Sequence, residues 1–174
     1  MRRLWDPGIN PVESIPYIPS CIMVPRHPPI GTAAMGEASV GFITWNRVCI
    51  VGVRAMDQQH AVLMDTLNDL RVAVTQGAAH DRISKELRRL LDFTAMHFAS
   101  EERLLVQQGF PAAVEHRQAH ERMMDQMHHV AQRAGHLGNT ELQPLIGFLR
   151  AWFVDHIEQL DVTYGEWLNE RGVF

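Results

Sequence analysis

The sequence predicts an all-α protein, an antiparallel up-down-up-down four-helix bundle with an irregular N-terminal extension. Three observations carry this reading. Apolar residues recur at three- and four-residue intervals in four segments after residue 56. Short connections containing Gly or Pro separate those segments, which favours antiparallel neighbours. Seven of the nine prolines fall before residue 35, in a stretch without helical period.

Residues 1–40 are therefore read as the extension and 41–174 as the bundle. Domain-like sequence begins only at Phe42-Ile43-Thr44-Trp45, which makes Met35 a candidate initiator. Val48 to Val53 is the one extended candidate, leading into the first helix. That helix takes Asp57 as its N-cap, carries His60, Leu63, Leu67, Leu70 and Val74 on one face, and stops at Gly77. The second takes Asp81 as cap, presents Ile83, Leu87, Leu90, Thr94, His97, Glu101 and Leu104, and ends near Gly109 and Pro111. The third runs from about Ala112 to Ala134 with His116, His120, Met123, Met127 and Val130 in its stripe. Gly135 and Gly138 break the chain after it. The fourth begins near Thr140, has Pro144 close to its first turn, and aligns Leu145, Leu149, Trp152, His156 and Leu160.

A chain of 174 residues with 46% hydrophobic content builds one domain with a substantial core. Its net charge of −4, with no basic run or basic helix face, argues against nucleic acid and anionic membrane as partners. No apolar run approaches the roughly 18–20 residues that span a bilayer. Met1-Arg2-Arg3 lacks an apolar stretch behind it, so a secretory signal is not expected. Cys21 and Cys49 form no CxxC pair, which fits a reducing cytosol and a cytoplasmic location.

Ten histidines are the unusual feature, and their placement decides the chemistry. Each of the four stripes is interrupted by potential metal ligands: His60; His97 and Glu101; His116 and His120; His156 and Asp161. Pairs four apart lie about 40° apart around a helix, on one face. His156 and Asp161, five apart, would be separated by about 140° on an ideal helix, so Asp161 is expected to approach from a flank. A lone histidine on an apolar face is more often a hydrogen-bonded core residue than a ligand. Seven such groups in one core are another matter, since burying them without partners would cost several kcal/mol per charged group. His27, His80, His128, His129 and His136 fall outside the stripes and are read as solvated side chains. The nine methionines are read as core filling.

Seven side chains exceed one tetrahedral zinc, and no thiolate is available for an iron–sulfur cluster. If Glu101 and Asp161 each bridge two ions, the seven residues supply nine of the twelve bonds that two octahedra need. An oxide or hydroxide bridge adds two, and one position stays open for a diatomic ligand. Mixed imidazole and carboxylate donors suit iron, although cobalt or manganese could occupy the same cage.

Over about residues 42–170 the chain resembles the hemerythrin family in its single-domain bacterial form. The motifs are Trp45, Val51-Gly52-Val53, Asp57-Gln58-Gln59-His60, His97-Phe98-x-x-Glu101-Glu102, Phe110-Pro111, His116-x-x-x-His120 and Trp152-x-x-x-His156-Ile157-x-x-x-Asp161. The resemblance implies a non-haem centre of two iron ions (Fe2+/Fe3+) with an oxo or hydroxo bridge. It implies that His116, His120 and His156 hold one iron, that His60 and His97 hold the other, and that Glu101 and Asp161 bridge them. Dioxygen would bind at the two-histidine iron, with Trp152 and Phe153 lining the oxygen pocket. Met123, Leu105 and Phe110 stand where the family more often has Phe, Met and Tyr, which bears on pocket shape.

Reversible dioxygen binding for carriage, storage or delivery is thus the expected function, with an unidentified protein as the recipient of the oxygen. The alternatives are a di-iron enzyme, such as an oxidase or a peroxide or nitric oxide scavenger, and an oxygen or redox sensor acting through residues 1–40. Binding is favoured because ferritin-like oxidative sites are carboxylate-rich and use Glu-x-x-His pairs, which this sequence lacks.

Overall fold

The computed structural model describes residues 50–134 and 139–174. The extension at 1–40, Met35, Trp45, both cysteines, His27, His136 and the Gly135/Gly138 break lie outside the described residues. Helix α1 spans Arg54–Thr75, α2 His80–Gln108, α3 Ala113–Ala134 and α4 Asn139–His156. A π-helical turn, Ile157–Asp161, joins α4 to α5, Val162–Asn169. His156 and Val162 on either side of that turn are both right-handed helical, so α4, the turn and α5 form one rod. Four rods make an antiparallel four-helix bundle in which α1 packs on α2 and α4, and α2 on α3. Among the described residues there is no strand, and no helix is long and apolar enough to cross a membrane.

The apolar stripes became the core. Leu63, Leu67, Leu70 and Val74 of α1, Ile83, Leu87 and Leu90 of α2, Met123 and Met127 of α3 and Leu149 of α4 are all buried. Leu160 departs from the expected stripe and is 37% exposed. The π-helical turn is the reason: an i→i+5 ladder inserts a residue into the turn and changes the phase of the helix surface.

Helix starts also differ from expectation. The N-cap of α1 is Val53, and Asp57 lies one turn inside the helix. Its Oδ1 instead accepts the Val51 backbone N–H at 2.7 Å, so the acid closes the entry segment onto the helix. The N-cap of α2 is Ala79, which places Asp81 in the first turn, where a carboxylate complements the helix dipole. The helix ends agree better. Gly109 closes α2 in the left-handed region at φ 74°, and Phe110 N–H reaches back to Leu105 O at 2.9 Å.

The segment before α1 locks onto α5. Val51 and Val53 are buried, and Asn169 Nδ2 donates to Val51 O at 3.4 Å. Val53 is extended, at φ −109° and ψ 104°, without belonging to a sheet. Gly165 makes the close approach possible, because a Cβ there would collide with the Val51 carbonyl oxygen. Gly147, on the exposed side of α4, would meet nothing within 4 Å. Gly165→Ala should therefore lower stability by about 1–3 kcal/mol through overpacking. Gly147→Ala should raise it by about 0.5–1 kcal/mol through helix propensity. Urea midpoints of the two variants check both signs.

Candidate metal centre

Each rod contributes polar side chains to one point in the bundle. His60 comes from α1, His97 and Glu101 from α2, His116 and His120 from α3, His156 from the end of α4, and Asp161 from the π-helical turn. All seven are buried, with His60, Glu101 and Asp161 at 0% exposure. The structure thus brings together all seven residues that the sequence singled out.

The five-residue step from His156 to Asp161 is resolved by the same turn. Because its backbone bonds span five residues rather than four, residues five apart return to nearly the same side of the rod. Asp161 reaches His156 directly, with Oδ1 at 3.1 Å from its Nε2. The flank approach expected from an ideal α-helix is replaced by a local change of helix type.

The two carboxylates face the imidazoles in an ordered way. Glu101 Oε1 meets His116 Nε2 and lies 3.4 Å from His120 Nε2, while Oε2 lies 3.5 Å from His97 Nε2. Asp161 Oδ1 lies 3.4 Å from His116 Nε2 and 3.1 Å from His156 Nε2, while Oδ2 lies 3.3 Å from His60 Nε2. Each carboxylate therefore turns one oxygen to a three-histidine side and the other to a two-histidine side. Two sets of buried donors have ligand atoms within 4.8 Å of one another: Glu101, His116, His120 and His156, and His60, His97 and Glu101.

Contacts behind the imidazoles fix which nitrogen carries the proton. His97 Nδ1 donates to Gln59 Oε1 at 2.9 Å, and His120 Nδ1 donates to Glu102 Oε1 at 2.9 Å. Their Nε2 atoms then present lone pairs inward, His120 Nε2 only 3.0 Å from His156 Nε2. The His120 lone pair also faces Glu101 Oε1 at 3.4 Å, and the His97 lone pair faces Glu101 Oε2 at 3.5 Å, an opposition that a cation among these atoms would relieve. Tyr164 adds a phenol from α5, its O–H donating to Glu101 Oε2 at 2.9 Å. Aromatic rings close the three-histidine side: Phe98 stacks on His120 with centroids 3.7 Å apart, and Trp152 stacks on His156 at 4.5 Å.

Electrostatics agree with the geometry. Burial, with the neighbouring His60, pushes the His97 pKa well below its usual value. Burial likewise lowers that of His120, to about 3, against the pull of Glu101. His116 goes the other way: burial alone would lower it, but the hydrogen bond and charge of Glu101, helped by Asp161, raise it. Burial would raise Asp161, yet His156 and His60 hold its carboxyl well below the usual range. Burial and Glu101 keep the Tyr164 phenol protonated.

A family model for the Hemerythrin HHE cation binding domain matches residues 51–168. The chain belongs to the hemerythrin family. It is 32% identical over 114 residues to a bacteriohemerythrin of Methylococcus capsulatus, covering 65% of this chain and 86% of that protein. A bacteriohemerythrin of Stenotrophomonas maltophilia is 29% identical over 131 residues, 73% of this chain and 82% of that protein. A wild-type hemerythrin crystal structure superposes with a TM-score of 0.66 at 26% identity, over 72% of this chain and 97% of that one.

Hemerythrin membership implies non-haem iron binding, and the donor set here fits such a metal. Hard carboxylate and borderline imidazole donors converge, and outer hydrogen bonds orient the imidazoles as they do around ligating histidines. Gln59, Glu102, Tyr164 and Phe98 received no role from the sequence. Their signals were present: Gln59 and Glu102 each adjoin a donor in sequence, and Tyr164 sits one helical turn beyond Asp161.

Metal-free hemerythrin of this sequence should lose stability on acidification. The folded pKa values of His97 and His120 lie below the unfolded value near 6.5, so the unfolded chain binds more protons as pH falls. Their stabilisation is full above pH 6.5 and drains away toward about pH 3 for His120. His116, Glu102 and Asp57, all raised, work in the opposite direction, while Asp161, held low by His156 and His60, adds to the loss on acidification. Urea midpoints of chelator-stripped protein should fall from pH 7 to pH 4, and a flat profile would mean the two imidazoles are not buried neutral.

Proposed function

We propose that this hemerythrin-family chain binds dioxygen reversibly at a centre of two non-haem irons, as a cytoplasmic carrier or store that passes oxygen to a recipient protein. The observation that carries the reading is the split of donors around the carboxylates. Glu101 turns one oxygen toward His116 and His120 and the other toward His97, and Asp161 turns one toward His116 and His156 and the other toward His60. A carboxylate with both oxygens engaged in this way is the arrangement needed to bridge two ions, and it is redundant around one.

In this proposal His116, His120 and His156 would hold one iron and His60 and His97 the other, with Glu101 and Asp161 shared between them. The irons supply reversible two-electron exchange with dioxygen. The chain's own part is to orient, to neutralise and to exclude water. Gln59 and Glu102 hold the Nδ1 protons of His97 and His120 so that Nε2 stays a donor to metal. Two carboxylates offset part of the cationic charge in a core where no solvent does so. Of Trp152 and Phe153, the two residues assigned to the oxygen pocket, Trp152 stacks on His156 and so walls the three-histidine side of the centre. Phe153 is 2% exposed and packs edge-on against Trp152, so water has little access along that wall.

Five imidazoles beside two carboxylates differ from the carboxylate-rich donor sets of ferritin-like oxidative sites. That supports binding over oxygen activation.

Iron-loaded protein should carry two irons per chain and an intense oxo-to-iron charge-transfer band that changes reversibly between oxygen and argon. Irreversible bleaching would instead support the enzyme reading. Glu101→Ala and Asp161→Ala should each bring the iron content below two per chain, and ligand loss of this kind costs about 10- to 100-fold or more in affinity. Full retention of both irons in both variants would defeat the bridging assignment.

A further inference from the structure

Three contacts outside the donor set differ between its two sides. Behind His97, on the two-histidine side, stands the neutral amide of Gln59, 1% exposed. Behind His120, on the three-histidine side, stands the carboxylate of Glu102. The Tyr164 O–H, wholly buried, binds the Glu101 oxygen that faces His97 rather than the one that faces His116 and His120. All three differences act in one direction.

A hydrogen bond from an imidazole to a carboxylate gives the ring partial imidazolate character and makes it a stronger donor to metal. The same bond to an amide does so much less. A phenol donating to a carboxylate oxygen draws charge away from that oxygen and weakens it as a ligand. We infer that Gln59, Glu102 and Tyr164 are positioning residues that make the two metal positions electronically unequal. They keep the two-histidine position electron-poor and the three-histidine position electron-rich. This inference rests on the di-iron reading above and adds an order of reduction to it: the two-histidine iron accepts an electron first.

The test is a reductive titration of the iron-loaded protein through its one-electron-reduced state, followed by visible absorption and electron paramagnetic resonance. Tyr164→Phe preserves the ring and removes the O–H, so the two-histidine iron should become harder to reduce. Gln59→Glu should shift it the same way, and Glu102→Gln should make the three-histidine iron easier to reduce. Each shift is expected to reach about tenfold in the reduction equilibrium, 59 mV for one electron. The opposed signs of Gln59→Glu and Glu102→Gln are the feature that loosened packing would not produce. Two irons per chain in all three variants, with reduction equilibria within about twofold of the parent or shifted in one common direction, would overturn the inference. Fewer than two irons in the parent protein would instead count against the di-iron reading itself.

Discussion

Two carboxylates and five imidazoles, removed from water in the middle of a small bundle, set the terms for everything around them. Side chains of this kind are tolerated in a core only when each lone pair faces a proton or a cation. Here the protons are spoken for. His97 and His120 direct theirs outward to Gln59 and Glu102, which leaves the inward nitrogen of His97 facing Glu101 and that of His120 facing Glu101 and His156. His116 and Tyr164 face Glu101, and His60 and His156 face Asp161, but none of these contacts supplies a proton to the inward nitrogens of His97 and His120. The arrangement is electrostatically sensible with metal among the donors and costly without it. Its geometry is maintained by neighbours whose own positions are fixed by helix packing.

The backbone makes one concession to that requirement. Donors on α2 and α3 are four residues apart and need only regular α-helix, but α4 supplies its pair across five. A π-helical turn absorbs the extra residue and returns Asp161 to the interior, and the same phase change turns Leu160 outward. The α-helical phase that resumes beyond Asp161 carries Tyr164 inward to Glu101 and places Gly165 against the Val51 carbonyl. A local change of helix type near a ligand is thus tied to the packing of the entry segment on α5. A single inserted residue sets four features that lie within one and a half helical turns of each other.

The four helical stripes and all seven donors could be read from the sequence because both obey periodicity. Apolar residues at steps of three and four, and His97/Glu101 and His116/His120 at four, are signals that an ideal helix converts into position without further information. What failed was whatever depended on departures from the ideal helix or on contacts between helices. Asp57 and Asp81 look like caps, yet the helices start three and one residues before them because Val53 and Ala79 already have extended backbones. Leu160 fits the stripe only if α4 keeps its phase. Gln59, Glu102 and Tyr164 act across the bundle, on partners 38, 18 and 63 residues away, and no local pattern reports such pairings. The His156 to Asp161 spacing did carry the clue, since a ligand pair at an awkward angle can be reconciled by rotating the carboxylate or by changing the helix, and the chain does the second.

The donor cluster also sits between two apolar regions, and this separates folding from metal loading. On one side lie Leu63, Leu67, Leu70, Leu87, Leu90, Met123, Met127 and Leu149; on the other, Met56, Leu104, Leu105, Phe110 and Leu168. Each large side chain so buried contributes about 1.5–3 kcal/mol relative to exposure. That apolar burial is a drive to fold distinct from the metal, unlike a small zinc domain whose core is the metal. A site assembled by packing ahead of the ion holds its donors at fixed spacing, and a metal arriving there meets ligands that need little reorganisation. That rigidity is also what allows differences as small as an amide against a carboxylate, one layer out, to reach the metal undiluted.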